Sequence, residues 1–508
     1  MKKFITAISL LLIIYSTSTV AQSCLPEGIT FTTQEQIDNF QTDNPGCTEI
    51  EGTVTINGND ITNLNGLNVL TSIGRDLEIV NTNSLKNLSG LEKLNFIGNN
   101  FTIGDYPAGI NDSLINLDSL YSLDHITGFL QIEGNPLLKS IEGLSNLTYI
   151  GRDLLIYINH ALLDLTGLNN IKSVGGGYVG LHIINNDALI SLNGLNNLEI
   201  IHGQLYISEN SSLINFSGLN NLTSIENHFN VFYNSSLINF TGLENLTEVS
   251  RNASSGCPGS MSIIHNDNLR DFTGLSYLDS VFGDLEIYGN DKLKNLEGLS
   301  GLKYIQGKQI SDDYSIVYYG LDISENKVLE SLSGLDSLKY LAYRLQIYKN
   351  DVLSNIDGIR NVSPDSILRV DITHNPLLAS CDVKSICEYL ANSSEGFIWY
   401  NAPGCNSQQE VIEACASSIN EISALYGIKT QPNPFSTSTT LSYELKQPQK
   451  VSLSIYNHLG QIVYQIQENQ PQGKQQLVWN AEVYPDGIYY YKLQVGEKVA
   501  NGKMVKVR

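Results

Sequence analysis

Leu205-Tyr-Ile-Ser-Glu-Asn210-Ser-Ser-Leu213-Ile-Asn-Phe216-Ser-Gly218-Leu219-Asn-Asn-Leu222-Thr-Ser-Ile225 decides the fold, because the chain says it again and again. Its generalised form is Leu-x-Ile-x-x-Asn-x-x-Leu-x-x-Leu-x-Gly-Leu-x-x-Leu-x-x-Ile. Copies open at Val54, Leu77, Phe101, Leu130, Leu154, Leu181, Leu205, Phe229, Met261, Leu285, Leu321 and Leu345, most often 24 residues apart, with a partial copy at Val370. One such unit cannot bury its apolar face alone, and stacked neighbours can, so self-similarity at this period predicts a solenoid.

Each unit opens with alternation, as in Leu205, Tyr206, Ile207, Ser208. First and third residues then face inward, and second and fourth face outward. No unit offers a helical period free of Gly and Asn, so the return path is not expected to be helical and the fold class is all-β. At strand spacing, about twelve coils make a rod on the order of 58 Å long. The recurrent Asn59, Asn135, Asn159, Asn186, Asn210, Asn234, Asn266, Asn290, Asn326, Asn350 and Asn375 are expected to stack as a structural ladder. An inward amide can satisfy the backbone N–H and C=O groups that a buried turn leaves without water. Glycines such as Gly218 and Gly242 recur at a corner that needs a tight turn. Insertions just before the next strand, among them Arg251–Ser260 and Gln309–Tyr319, the latter holding Asp312, Asp313, Tyr314, Tyr318 and Tyr319, are expected to project from one edge of the rod, whereas Gly104–Asp112 follows its strand.

The ends differ from the middle. Lys2 and Lys3, an apolar run from Phe4 to Tyr15 and small residues ending at Ala21 form a signal-peptide pattern over residues 1–21. No later stretch is long and apolar enough to predict a transmembrane anchor. Residues 426–508 carry 9 basic and 5 acidic residues, against 19 and 47 in residues 22–425. That break marks a domain boundary, and the acidity of the larger part disfavours nucleic acid and anionic membranes as partners. Cys24 and Cys47 are expected to close an N-terminal cap over residues 22–53, with Thr33 capping a helix that reaches Phe40. Acylation of Cys24 is disfavoured by Ala21 three places earlier. Cys381, Cys387, Cys405 and Cys415 follow the solenoid of residues 54–380 and belong to a cap and linker over 381–425. Three connectivities are open to four cysteines; Cys381–Cys405 with Cys387–Cys415 is the one expected, leaving Cys257 unpaired.

The repeat has two residues between Asn and the next Leu, where the commonest leucine-rich pattern has one. It resembles the receptor L domain over roughly residues 50–380. That resemblance implies a right-handed leucine-rich β-solenoid that binds a polypeptide or serves adhesion, without fixing any binding residue. From Tyr426 the chain reads Gln431-Pro432-Asn433-Pro434-Phe435, then Leu453-Ser-Ile-Tyr-Asn-His-Leu-Gly460-Gln-Ile-Val463, then Pro485-Asp-Gly487-Ile-Tyr489 and a basic end at Lys503, Lys506 and Arg508. This is similar to the C-terminal sorting domains of type IX secretion in Bacteroidota. The likeness implies a small Ig-like β-sandwich recognised by the outer-membrane machinery, with the cargo released or left on the outer cell surface. The alternating runs Thr440–Leu445, Val451–Tyr456, Gln461–Gln465, Gln475–Trp479 and Ile488–Val495 independently predict an all-β unit.

Catalysis finds no motif. Gly175, Gly177 and Gly180 satisfy G-x-G-x-x-G, but a strand follows them where a nucleotide site needs a helix. Histidines are scattered, cysteine spacing is irregular for zinc, and no calcium-loop spacing recurs, so neither a metal nor another cofactor is expected. An enzyme acting on polysaccharides would need carboxylates gathered in a groove by stacking. The positive signal lies on the outward strand positions Leu155, Tyr157, Ile184, Tyr206, Phe232, Ile264, Tyr288 and Tyr348, apolar or aromatic where mere solvation asks for polar residues. They are expected to line one face and contact an unknown protein or glycan, although cross-strand packing explains aromatic ladders equally well. The expected function is an exported binding or adhesion protein, with self-association as a structural surface protein as its rival.

Overall fold

A computed structural model describes residues 22–176, 179–250, 259–311, 316–393, 396–425, 427–457, 460–496 and 498–507. The expected signal peptide, Gly177, the insertion residues 251–258 with Cys257, and Asp312, Asp313 and Tyr314 lie outside the described residues.

Stacked coils build the β-solenoid through one continuous sheet of fifteen parallel strands, from Ile29–Phe31 through Gln204–Ser208 to Gly396–Trp399. Twelve come from the repeats, and three more come from the sequence on either side: Ile29–Phe31, Ile367–Thr373 and Gly396–Trp399. A second side is formed by short strands of two to four residues in two sheets, of six and seven strands, which part between Tyr149–Ile150 and Ser173–Val174. Single turns such as Asp118–Leu120 and Glu142–Leu144 complete the circuit.

The repeat explains its own core. In the coil quoted above, Leu205, Ile207, Leu213, Phe216, Leu219, Leu222 and Ile225 are all fully buried. Each buried side chain of this size stabilises by roughly 1.5–3 kcal/mol. Phe216, Phe240 and Phe272 replace Leu at one position and stack with centroids 5.3 and 5.2 Å apart. Gly218 has φ +114°, and a Cβ there would lie 2.1 Å from the Leu192 carbonyl. Glycine is therefore required twice over, by conformation and by space.

The asparagine ladder exists, with two changes. Asn210 donates from Nδ2 to Ile183 O at 2.9 Å and to Asn234 Oδ1 at 3.3 Å, and its backbone N–H donates to the same Oδ1 at 3.0 Å. This pattern repeats from Asn159 to Asn375 and extends to Asn111 and Asn401, which the repeat reading missed. Asn59 is not a rung: it is exposed, and Thr82 heads the ladder by donating from Oγ1 to Asn111 Oδ1 at 2.7 Å.

Both ends are covered. Helix Gln34–Asp43 begins at Thr33 with a capping box to Gln36, runs past Phe40, and buries Ile37 and Phe40 over the first coils. Helices Lys384–Asn392 and Gln408–Leu425 lie in the C-terminal cap, where no helix was expected. Cys24 is bonded to Cys47, Cys381 to Cys405 and Cys387 to Cys415. At the insertion Gln309–Tyr319, Lys308–Ser311 pairs antiparallel with Ile316–Tyr319 in a two-stranded hairpin sheet.

The C-terminal segment has its own core of Phe435, Leu441, Leu453, Trp479, Leu493 and Met504 among others. It lies in a three-stranded antiparallel sheet, Lys429–Gln431, Ser438–Leu445 and Gly473–Asn480, and a four-stranded one, Gln449–Tyr456, Ile462–Gln470, Gly487–Val495 and Lys498–Lys506. This is the Ig-like arrangement. The first and last strands were absent from the sequence reading.

Candidate ligand-binding face and export signal

Parallel register turns the outward strand positions into columns. One column runs Gln131, Leu155, His182, Tyr206, Asn230, Ser262, Glu286, Asp322, Gln346, Asp371, Phe397. The next, two residues along each strand, runs Tyr157, Ile184, Ser208, Phe232, Ile264, Tyr288, Ser324, Tyr348, Thr373, Trp399. The eight outward residues singled out in the sequence thus share a face but not a column. Leu155 and Tyr206 stand in the first, and Tyr157, Ile184, Phe232, Ile264, Tyr288 and Tyr348 in the second.

All eight are half-buried, because neighbouring rungs cover one another. Tyr206 meets Phe232 edge-on at 5.4 Å and His182 at 5.2 Å, and Tyr288 meets His265 at 5.2 Å. Ser208 and Ser324 interrupt the second column and are buried. His182, missed in the sequence, accepts or donates a hydrogen bond with the Tyr157 hydroxyl at 3.1 Å, and burial pushes its pKa down to about 4. Burial first, then Glu133, pushes the Tyr157 hydroxyl up.

The first column changes character beyond Asn230. Asp284, Glu286 and Asp322 line a cleft of about 250 Å³ beside Tyr318 and Tyr319 of the hairpin. Lys308 bridges Asp284 Oδ1 at 2.9 Å and Ser260 Oγ at 2.7 Å, and Gln346 Nε2 donates to Asp322 Oδ2 at 2.7 Å. Burial, reinforced by the neighbouring carboxylates, raises the pKa of both Glu286 and Asp322. Sequence spacing gave no sign of this grouping, which arises only when rungs are laid in register.

Two further exposed sets were missed. Phe397 and Trp399 sit on the last strand, 41% and 49% exposed, and Tyr400 follows it, 68% exposed. Leu163, Ile190 and Ile214 follow the first Leu after the ladder Asn in consecutive coils and form an exposed ridge. Their signal was present in the repeat, as an apolar residue in a variable place.

In the C-terminal unit, Asn433 acts as a clip. Its Nδ2 donates to Lys503 O at 2.9 Å and its Oδ1 accepts from Val505 N–H at 2.8 Å. Phe435 N–H donates to Val505 O at 3.0 Å, and the Phe435 ring packs on Trp479, which packs on Tyr489. The Tyr489 hydroxyl donates to Pro485 O at 2.7 Å, and Lys506 pairs with Asp486 at 3.1 Å. Pro432 O accepts from Thr439 Oγ1 at 2.7 Å, with Pro434 between the clip and Phe435. Gly460 N–H donates to Asn457 O at 3.0 Å just ahead of Ile462–Gln470, and Gly487 begins the strand that pairs with Lys498–Lys506. The Pro-Asn-Pro-Phe segment and the basic end of the chain therefore form one structural element.

These two assemblies define a leucine-rich β-solenoid followed by a small Ig-like tail. The family model for the receptor L domain matches residues 255–363, and that for the secretion system C-terminal sorting domain matches residues 429–507. No curated protein matches the chain. The tail directs export by type IX secretion to the cell surface or the extracellular space, and so implies contact with that machinery. Among the described residues, no helix is long and apolar enough to cross a membrane.

Proposed function

We propose that the protein is an exported recognition protein, used in adhesion, which captures a protein or glycan on the outward face of the fifteen-stranded sheet and does no catalysis. The observation that carries this reading is the density of rings on that one face, culminating in exposed Phe397 and Trp399. Aromatic side chains exposed in a group are favoured at interaction surfaces for their rigid, amphipathic rings. The carboxylates that stacking does gather are held by Lys308, Ser260, Gln346 and Ser262, which suits a shaped polar surface. Self-association is the second reading, and the exposed ridge of Leu163, Ile190 and Ile214 is the observation in its favour.

The test screens the full chain on glycan and protein arrays, then repeats the screen with Tyr206→Ser, Phe232→Ser and Tyr288→Ser combined. Capture is expected to vanish; because these rings pack on neighbouring rungs the melt will fall somewhat, so retained β-rich circular dichroism checks that the variant is folded, and capture that persists refutes the face. Sedimentation of the same samples separates the readings: assembly that grows with concentration favours the ridge.

A further inference from the structure

The last three strands of the large sheet place unlike side chains side by side. Register sets Arg344 against Arg369, Gln346 against Asp371 against Phe397, and Tyr348 against Thr373 against Trp399. A cleft of about 340 Å³ opens over them. Phe397 and Trp399 stand on the outward face of the terminal strand, 41% and 49% exposed. Their exposure marks a contact surface.

The polar groups beside the rings are already organised. Arg344 Nε donates to Asp371 Oδ2 at 2.6 Å, and Arg369 Nε reaches both Asp371 oxygens at 3.0 and 2.9 Å. The Arg369 guanidinium lies 4.5 Å over the Phe397 ring. Pairing through Nε leaves the Nη groups of both guanidiniums outside these contacts as further donors. Charge is nearly balanced, because Asp371 takes both arginines and Asp322 lies near Arg344.

We infer that this platform binds a neutral sugar unit of a polysaccharide. The inference rests on the outward face being a recognition surface and narrows its ligand. A pyranose ring has an apolar C–H face, which suits Trp399 and Phe397, and a rim of hydroxyls, which suits planar groups that donate and accept in pairs. Polyanionic glycans are disfavoured by the 47 acidic against 19 basic residues in 22–425. Cationic ligands meet Arg369, which is 45% exposed at the surface of the platform. A neutral, ring-faced, hydroxyl-rich ligand avoids both costs.

Affinity electrophoresis of the full chain in native gels tests this, with soluble laminarin, glucomannan and xylan as neutral probes and polygalacturonate as the anionic comparison. At least one neutral polymer is expected to retard the protein. Trp399→Ala should weaken that retardation at least tenfold in apparent Kd without shifting the melt, and Trp399→Phe should restore much of it. The proposal is overturned if no neutral polymer retards the chain, if polygalacturonate alone does, or if Trp399→Ala retards as before. Array capture of a protein that requires Trp399 overturns it as well. Should the Tyr206, Phe232, Tyr288 triple variant lose capture while Trp399→Ala keeps it, this inference fails and the wider reading stands.

Discussion

Glu286 sits in the hairpin-side cleft with its pKa raised, first by burial and then by Asp322 and Asp284. A carboxyl group whose folded pKa exceeds its unfolded one costs stability when ionised, and the cost fades as pH falls through the folded pKa. Glu286→Gln is therefore expected to raise the melting temperature at pH 7. The gain should shrink on acidification and vanish below the ordinary carboxylate value of 4.5. Melts of both proteins at pH 7 and pH 4 check this, and a gain independent of pH contradicts it. His182 titrates with the opposite sense: its pKa, lowered by burial to about 4, makes the fold lose stability as pH falls from 6.5 towards 4. Both proteins carry that loss, so the difference between variant and parent isolates Glu286. That a half-buried face keeps ionisable groups at such a cost fits a surface selected for contact.

At the scale of strands and rungs, the asparagine ladder ties each coil to the next, and stability in a stack is a sum of neighbour terms. Asn210→Ala would leave the Ile183 carbonyl and the Asn186 N–H without their side-chain partners. An unsatisfied buried group costs about 1–3 kcal/mol, so a loss of about 3 kcal/mol is expected. Hydrogen exchange should show it locally: amides of Gly180–Ile184 and Gln204–Ser208 exchange faster, while those of Val54–Ile56 hold. Uniform acceleration along the rod would contradict neighbour-only coupling. The rungs were legible because Leu, Ile, Asn and Gly recur at fixed places and each place has one physical task. Asn59 was misread because identity at a place does not say which way the side chain turns, and Thr82 already ends the ladder. The cleft carboxylates Asp284, Glu286 and Asp322 were not legible, since they meet only across rungs whose spacing the hairpin insertion disturbs. The terminal platform escaped for another reason: Gly396–Trp399 lies beyond the last repeat and joins the sheet without the repeat's Leu-x-Ile signature.

Across the whole molecule, two cores with different sheet types carry opposite charge balance, and each has the composition its task asks for. The solenoid core runs from Phe31 to Val411, whereas the C-terminal core gathers Phe435 to Met504 separately. Units with separate cores fold as separate domains. Removing residues 426–508 is thus expected to leave the solenoid's melt and β-rich circular dichroism nearly unchanged while altering where the protein goes. The Asn433 clip binds the Pro-Asn-Pro-Phe segment to the final strand, so neither end of this unit can be trimmed without exposing the other. In a host competent for type IX secretion, the truncated chain should accumulate in the periplasm, folded and resistant to protease, while the full chain appears outside. Protease resistance matters to the outcome, because a misfolded fragment would also fail to leave. A folded truncated chain found outside the cell in normal amounts would show that export information lies in the solenoid, against both the family match and the charge break that first set the tail apart.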